Sequence, residues 1–522
     1  MPEHLRALLV ILVIAAAVFG LVEKPICAAG IAPADFKRRR NIWFALTLSA
    51  FLLHSFWLYC LVAGLVLVVF GSRDRNPIAL YVVLMFVVPP FSLQIPGLGV
   101  VNQLFELNHI RLLNITLLLI SVIRSPRGSV QSSAPSIGLA GYLLIGYIGL
   151  LVALTVIVSS FTNTMRAGLL LAIDFWVPFF VACNTLRTRT AIQEVAAAFA
   201  LSGALLASLA ILEFSKRWLL YAPLDTAMGV PWGYGSYQFR GEGGALRALV
   251  STGHSIVLGY VIVVALACAL MIAPRVSKLW SYRVIIILLL GGLIASVARG
   301  PWVGAVAMLI VALGIGQGAV PRLLKVFALL LVLFGALTVS PWGSEMLDYL
   351  PFIGTVDAGS VDYRSRLVEI SLGVLRQSPV LGAWDYMLNP AMEEMRQGEG
   401  IIDMVNTYLG VAMSTGLVGL SLFIGVFIAA AWAAARRLFD AEGDADLERI
   451  GRWLLGALAG VLVTIATVSP INAVPTVYYL LVGILVAYSR LPAATGRPAD
   501  LRPKSASLRA SGPRWRYAGK QS

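Results

Sequence analysis

The 522-residue sequence places five arginines, Arg240, Arg247, Arg299, Arg364 and Arg366, beside or between long apolar runs and apart from its short basic clusters. A guanidinium is planar, permanently charged and able to meet two phosphate oxygens at once. Arginines at the ends of apolar runs therefore suit a phosphate-bearing ligand at a membrane surface, although the same residues serve equally to snorkel toward lipid headgroups. Two carboxylates that can take a proton, Glu399 and Asp403, precede the apolar run that begins near 404. Asn406 and Tyr408 follow them and can orient a sugar or phosphate; Asn406 can equally cap the helix starting there. Asp174 is the one acid well inside an apolar run, where a charge is costly unless it is paired or functional. Asp444-Ala-Asp446 has the spacing of a metal-binding acidic pair, but it falls in a short loop, Asp440 to Arg449, with no nucleotide-binding domain around it, and reads as a solvated loop. There is no P-loop, no glycine-rich dinucleotide fingerprint and no zinc spacing. Cys27, Cys60, Cys183 and Cys268 are unpaired in spacing and lie in or beside apolar runs. Chemistry that needs no cofactor and no metal is what remains.

The elements that must position these residues are membrane helices. The chain is 59% hydrophobic and 13% charged, and its apolar residues come in runs near the roughly 20 residues that cross a hydrocarbon core. Such runs lie near 5–22, 42–71, 77–92, 109–124, 137–159, 165–183, 192–213, 254–273, 283–298, 302–317, 322–339, 404–435, 452–468 and 472–489. The expected fold is all-α and polytopic, with about 14 transmembrane helices. The first run lacks the basic flank and small-residue site of a cleaved signal peptide and is kept as a span. Basic clusters (Lys37 to Arg40, Arg73 and Arg75, Arg124 and Arg127, Arg187 and Arg189, Arg275 to Arg283, Arg322 and Lys325, Arg436 to Arg452) alternate with connections poor in basic residues and are expected on the cytoplasmic side. Alternation works best if 42–71 is a hairpin turning near His54 and Ser55. Four regions follow: 1–339, membrane helices with an external loop 214–253; 340–403, a large external loop; 404–489, C-terminal membrane helices; and 490–522, a basic cytoplasmic tail. The tail holds eight of the basic residues against one acid, which suits an anionic leaflet rather than nucleic acid. The loop 340–403 carries ten acids and four arginines. Leu367, Ile370, Leu372 and Leu375 recur within it at helical spacing, as in an amphipathic helix lying on the membrane domain.

Three blocks, in order, resemble the O-antigen ligase and Wzy-type polymerase family. Ser296-Val-Ala-Arg299-Gly300-Pro-Trp302 is similar to the family's Ser-x-Ser-Arg-Gly, with Ala298 in place of the second serine. Arg240 and Arg247 precede the 254–273 run, where the family places another functional arginine. Ser378-Pro379-Val-Leu-Gly382 is similar to its Pro-x-x-Gly, and Val405-Asn406-Thr-Tyr408-Leu409 followed by Gly416-Leu-Val-Gly419 is similar to its His-Asn-x-x-Leu and Gly-hydrophobic-hydrophobic-Gly. The motifs cover roughly residues 230 to 435. The resemblance implies a multi-pass glycosyltransferase of the bacterial inner membrane with a periplasmic active face. Its polyprenyl-diphosphate-linked donor would be met by the arginines, and its acceptor would be the sugar end of another glycan, in exopolysaccharide or O-antigen assembly. A flippase and a chain-length regulator are the partners so implied. The family histidine falls on Val405, which cannot move a proton; His4, His54, His109 and His254 lie elsewhere. Acceptor activation would then pass to Asp403 or Glu399, or catalysis would rest on the leaving group, and the loss favours a polymerase over a ligase acting on lipid A core. The rival from another class is a lipid-linked oligosaccharide flippase or other transporter, whose interrupted mid-membrane helices and inverted repeats are not evident in the sequence.

Overall fold

The computed structural model describes residues 1–97, 103–124, 137–230, 244–316, 318–339, 358–396, 402–441 and 443–492. It is mostly helical. Among the described residues, seven helices are long and apolar enough to cross a membrane: Glu3–Ala29, Phe56–Arg73, Gly138–Val158, Phe161–Thr185, Arg189–Lys216, Ser255–Val276 and Thr407–Phe439. Three shorter apolar helices, Trp280–Ala295, Arg299–Gly314 and Val474–Tyr488, lie among them. The run 42–71 is indeed broken at His54, which takes φ 49°, and Ser55 caps the helix that follows. The run 77–92 departs from expectation. Its helix, Pro77–Leu84, has eight residues, about 12 Å of rise, too short to span. The chain then extends into an antiparallel hairpin, Ser92–Pro96 with Gln103–Asn108, so the fold is not purely α. Arg166 donates to the Gln103 and Leu104 carbonyls of that hairpin.

Arg189–Lys216 and Ser255–Val276 form the centre of the bundle and are buried on nearly every face. Small residues let their neighbours approach closely: Gly203 packs on Ala265, Gly292 on Ala207, and Gly304 against the backbone of Gly460. This is how helices associate where lipid removes the hydrophobic driving force. The outer helices turn Leu61, Leu65, Ile157, Ile310 and Ile428 outward, as lipid contact requires.

Ion pairs tie the basic connections into one end of the bundle. Arg39, fully buried, donates Nε to Asp74 at 2.8 Å and Nη2 to Asp74 and Glu194 at 2.7 and 2.6 Å. Arg189 meets Asp444 at 2.6 Å, while Arg275 and Arg449 share Asp446 at 3.8 and 2.5 Å. Asp444 also caps the helix Ala445–Ile465 through the Leu447 N–H. The Asp444-Ala-Asp446 loop, expected to be merely solvated, is therefore a structural clasp.

Candidate active site

The opposite end gathers the two segments that the arginine blocks require. Arg299 is the first residue of the helix Arg299–Gly314, whose N-cap, Ala298, offers no side-chain acceptor to the first turn. Glycine at 300 is fixed by packing, because a Cβ there would collide with Thr467 Oγ1. Ser296 Oγ and Trp302 Nε1 both donate to the Leu293 carbonyl, at 2.6 and 2.8 Å, and so staple the turn that precedes Arg299. Val297 within that turn takes φ 44°, a conformation that crowds a β-branched residue at a cost of about 1–3 kcal/mol.

Arg247 arrives from the loop before Ser255–Val276. The Ala248 N–H donates to the Ala295 carbonyl at 3.1 Å, bringing Arg247 to the turn that carries Arg299. The anchor of this loop is Glu213, buried near the end of Arg189–Lys216. Its Oε1 accepts from the Leu220 N–H at 2.9 Å, and its Oε2 from the Leu249 and Val250 N–H groups at 3.0 and 2.9 Å. Val250 also sits at positive φ, 49°. An acid beside a helix C-terminus runs against the helix dipole, and that anomaly is the sequence signal that marks Glu213.

The third contribution comes from residues 358–396 and 402–409. The helix Ala358–Gln377 buries Leu367, Ser371 and Val374 and leaves Leu372 exposed, so its inner face is offset from the leucine stripe expected. With Met392, Met395, Met404 and Met413 it makes a second small core, against which Val405 packs. The helix leads into Pro379-Val-Leu-Gly382, which docks in a break of the helix Thr407–Phe439 at Gly416 (φ 66°, ψ −167°). There Leu417 and Val418 donate to the Pro379 and Val380 carbonyls at 2.9 and 3.2 Å, and Ala383 donates to the Met413 carbonyl at 2.8 Å. Only glycine adopts that backbone readily. A Cβ at Gly382 would meet the Met413 oxygen and the Gly416 nitrogen. Two of the sequence blocks thus explain one another: one breaks a helix, and the other supplies the hydrogen bonds the break removes. The helix is thus interrupted nine residues after its start, and the loop backbone fills the break.

Asp403 lies in the wall of a cavity of about 1040 Å³ bounded by the β-hairpin and several helices. The Tyr363 hydroxyl bridges its backbone, accepting from the Asp403 N–H and donating to its carbonyl, both at 3.1 Å. Ser469 Oγ lies 3.3 Å from Asp403 Oδ1 and donates at 2.6 Å to the Met404 carbonyl. The side chain faces the lumen, yet the protein mass around it desolvates the carboxyl and pushes its pKa up from the ordinary range, while Ser469, Arg364 and Arg247 pull the other way. Arginines from two separate segments, the loop of Arg247 and the helix Ala358–Gln377, therefore act on this one carboxylate. Arg247 also acts on His254, whose Nδ1 caps its own helix by accepting from the Ile256 N–H at 3.2 Å.

The remaining candidates are placed as follows. Arg366 pairs with Glu394 at 2.8 Å on an exposed surface. Asn406 accepts the Tyr408 and Leu409 N–H groups at 2.9 and 3.2 Å, and the Tyr408 hydroxyl donates to the Leu462 carbonyl at 2.9 Å. Both side chains are thus engaged within the protein. Arg240 and Glu399 lie outside the described residues. Asp174 finds its partner in Arg111 at 2.9 Å, and both line the cavity.

Residues 284–424 match the family model described as O-antigen ligase. This is an O-antigen ligase family domain. It runs from the helix before Arg299 to just beyond the Gly416 break, so it contains Arg299, Arg364, Arg366, Asp403, Asn406 and Tyr408. It is narrower than the 230 to 435 covered by motif, and Arg247 approaches the family domain from outside it. No curated protein matches the chain.

Proposed function

We propose that the protein is a polymerase-type membrane glycosyltransferase, which moves a glycan from polyprenyl diphosphate to the sugar end of another glycan. The observation that carries this reading is the place of Asp403 in the cavity wall, with its carboxyl in the field of Arg364 and Arg247 and the Arg247 loop hydrogen-bonded to the turn before Arg299. As the bond from sugar C1 to the diphosphate breaks, charge develops on the departing phosphate oxygens. Fixed guanidinium groups at Arg299 and Arg247 stabilise that charge more in the transition state than in the ground state. Asp403 takes the proton from the acceptor hydroxyl as that oxygen bonds to C1, and its raised pKa keeps it basic enough for the task. Val405, packed in an apolar cluster, takes no part. The setting is the bacterial inner membrane with loop 340–403 on the periplasmic face, a flippase supplying the donor and a regulator setting chain length.

The name of the matched family favours a second reading, transfer of a finished polymer to lipid A core. One reconstitution separates the two. Purified protein in proteoliposomes receives polyprenyl-diphosphate-linked oligosaccharide with or without lipid A core. Lengthening of the lipid-linked glycan without lipid A supports the polymerase; product only when lipid A core is present supports the ligase; no product with either acceptor refutes both.

A further inference from the structure

Asp403 shares its cavity with another charged feature, the Arg111–Asp174 pair. Asp174 lies 13 residues into the Phe161–Thr185 helix, about 20 Å along its axis. A charge at such depth is tolerated when it is paired or faces a water-filled space, and it commonly marks a substrate path. Asp174 meets both conditions.

We propose that the Arg111–Asp174 pair and the aromatic side chains around it seat the acceptor glycan; the proposal rests on the transferase reading above and deepens it. The pair is unsuited to a diphosphate, because the guanidinium is already committed. Arg111 Nε lies 3.2 and 3.0 Å from the two Asp174 oxygens and Nη2 lies 2.9 Å from Oδ2, while Nη1 donates to the Glu106 carbonyl at 2.6 Å. The carboxylate is less fully used. Two ionised oxygens offer about four acceptor positions, and among the described residues Oδ1 is held by the longer Nε contact alone. Sugar hydroxyls donate to such a group. Both side chains remain partly open, Arg111 at 14% and Asp174 at 20%.

The backbone is shaped around this point. Residues Ala172–Trp176 and Asn114–Leu119 are π-helical, a widening found often at functional sites. Asn114 Nδ2 donates at 3.0 Å to the Ile173 carbonyl and ties the two wide turns together. Tyr147, Phe175, Trp384 and Tyr386 line the cavity with Asn108 and Asn472. Aromatic faces for the C–H faces of sugar rings, and amides for their hydroxyls, make a surface suited to an oligosaccharide, and the excess of Glu106, Asp174 and Asp403 over Arg111 in the lining disfavours an anionic one. The volume stands at the upper end of the roughly 300–1,000 Å³ usual for small-molecule pockets, enough for several sugar rings. An acceptor held here presents its terminal hydroxyl toward Asp403, while the donor diphosphate is met by the arginines.

The test uses full-length protein in nanodiscs, with lipid-linked oligosaccharide as donor and the same oligosaccharide freed of its lipid by mild acid as acceptor. Asp174→Asn keeps the size of the side chain and removes its charge. It should raise the acceptor KM about tenfold, the weight of a charge-assisted hydrogen bond, and leave the donor KM within about twofold. The double variant Arg111→Asp with Asp174→Arg re-forms the pair with the carboxylate moved. It should recover thermal stability without recovering acceptor KM. An unchanged acceptor KM in Asp174→Asn, an equal rise in donor KM, or full recovery of acceptor KM in the double variant would each overturn the proposal. If the wild type transfers nothing, the transferase reading has failed on its own account. Calorimetric titration with the freed oligosaccharide then decides the seat: weaker binding to Asp174→Asn than to wild type supports it, and equal binding overturns it.

Discussion

Glu213→Gln replaces one oxygen by nitrogen at the point where the Arg247 loop is anchored. The carboxylate accepts three backbone N–H groups, one on Oε1 and two on Oε2. A carboxamide has one oxygen, so in its better orientation it keeps Leu249 and Val250 and turns its NH₂ toward the Leu220 N–H. A buried donor left unmet costs about 1–3 kcal/mol, and the two surviving bonds fall from the charge-assisted range of about 1.5–3 to the neutral range of about 0.5–1.5 kcal/mol each. The total, roughly 3–6 kcal/mol, is large against the ~5–15 kcal/mol that holds a typical fold together. The loop should open before the bundle does. Arg247, three residues before Val250, then loses its fixed position. Donor turnover should fall more than tenfold, the melting temperature in detergent should drop only a few degrees, and the Leu249 and Val250 amides should exchange faster with deuterium. Fast exchange with normal turnover would show that a positioned Arg247 is not needed. Unchanged exchange would show that Glu213 does not anchor the loop.

Asp403→Asn should abolish transfer while donor still binds. In the wild type the rate should rise with pH as Asp403 deprotonates, with the acid limb above the ordinary aspartate value of 3.8 because burial raises this carboxyl. Arg364→Gln removes a charge that lowers that pKa, so the limb should move to higher pH; an unmoved limb would mean another group titrates. Gly416→Ala forces a side chain into a backbone conformation at φ 66° and against the Val380 carbonyl. It should release 358–396 to limited proteolysis and remove activity, and a protease-resistant, active variant would contradict the docking argument. A reporter fused after Ser360 should read as periplasmic and one after Arg490 as cytoplasmic; a cytoplasmic signal after Ser360 would remove the site from the donor's side.

The order of the functional blocks was legible because each is local. Arg299 with Gly300, Gly382 and Gly416 are marked by glycines whose backbone or packing admits nothing larger. The hairpin turn at His54 and Ser55 was legible from charge alternation alone. The β-hairpin was hidden because Phe91, Leu93 and Ile95 continue the apolar run, and a hydropathy window does not distinguish a strand from the end of a helix. The position of Asp174 in an apolar run asks for a partner without naming it, and Arg111 stands 63 residues upstream. Glu213 reaches Val250 across 37 residues. In both cases the local sequence marks the acid but not its partner, since distance along the chain carries no information about such contacts. Asn406 could be read from sequence as a cap or a ligand, and only the geometry supplied its backbone partners.

In the proposed reaction Arg299 stabilises the departing diphosphate, and single-turnover release of polyprenyl diphosphate from a lipid-linked oligosaccharide measures that step directly. Loss of one charge-assisted contact at about 1.5–3 kcal/mol corresponds to roughly tenfold or more in rate. Arg299→Ala should therefore release product at least tenfold more slowly than wild type while remaining inserted and folded, and Arg299→Lys should recover part of the rate because it keeps the charge and loses the fork. Release at the wild-type rate from well-folded Arg299→Ala would contradict the claim.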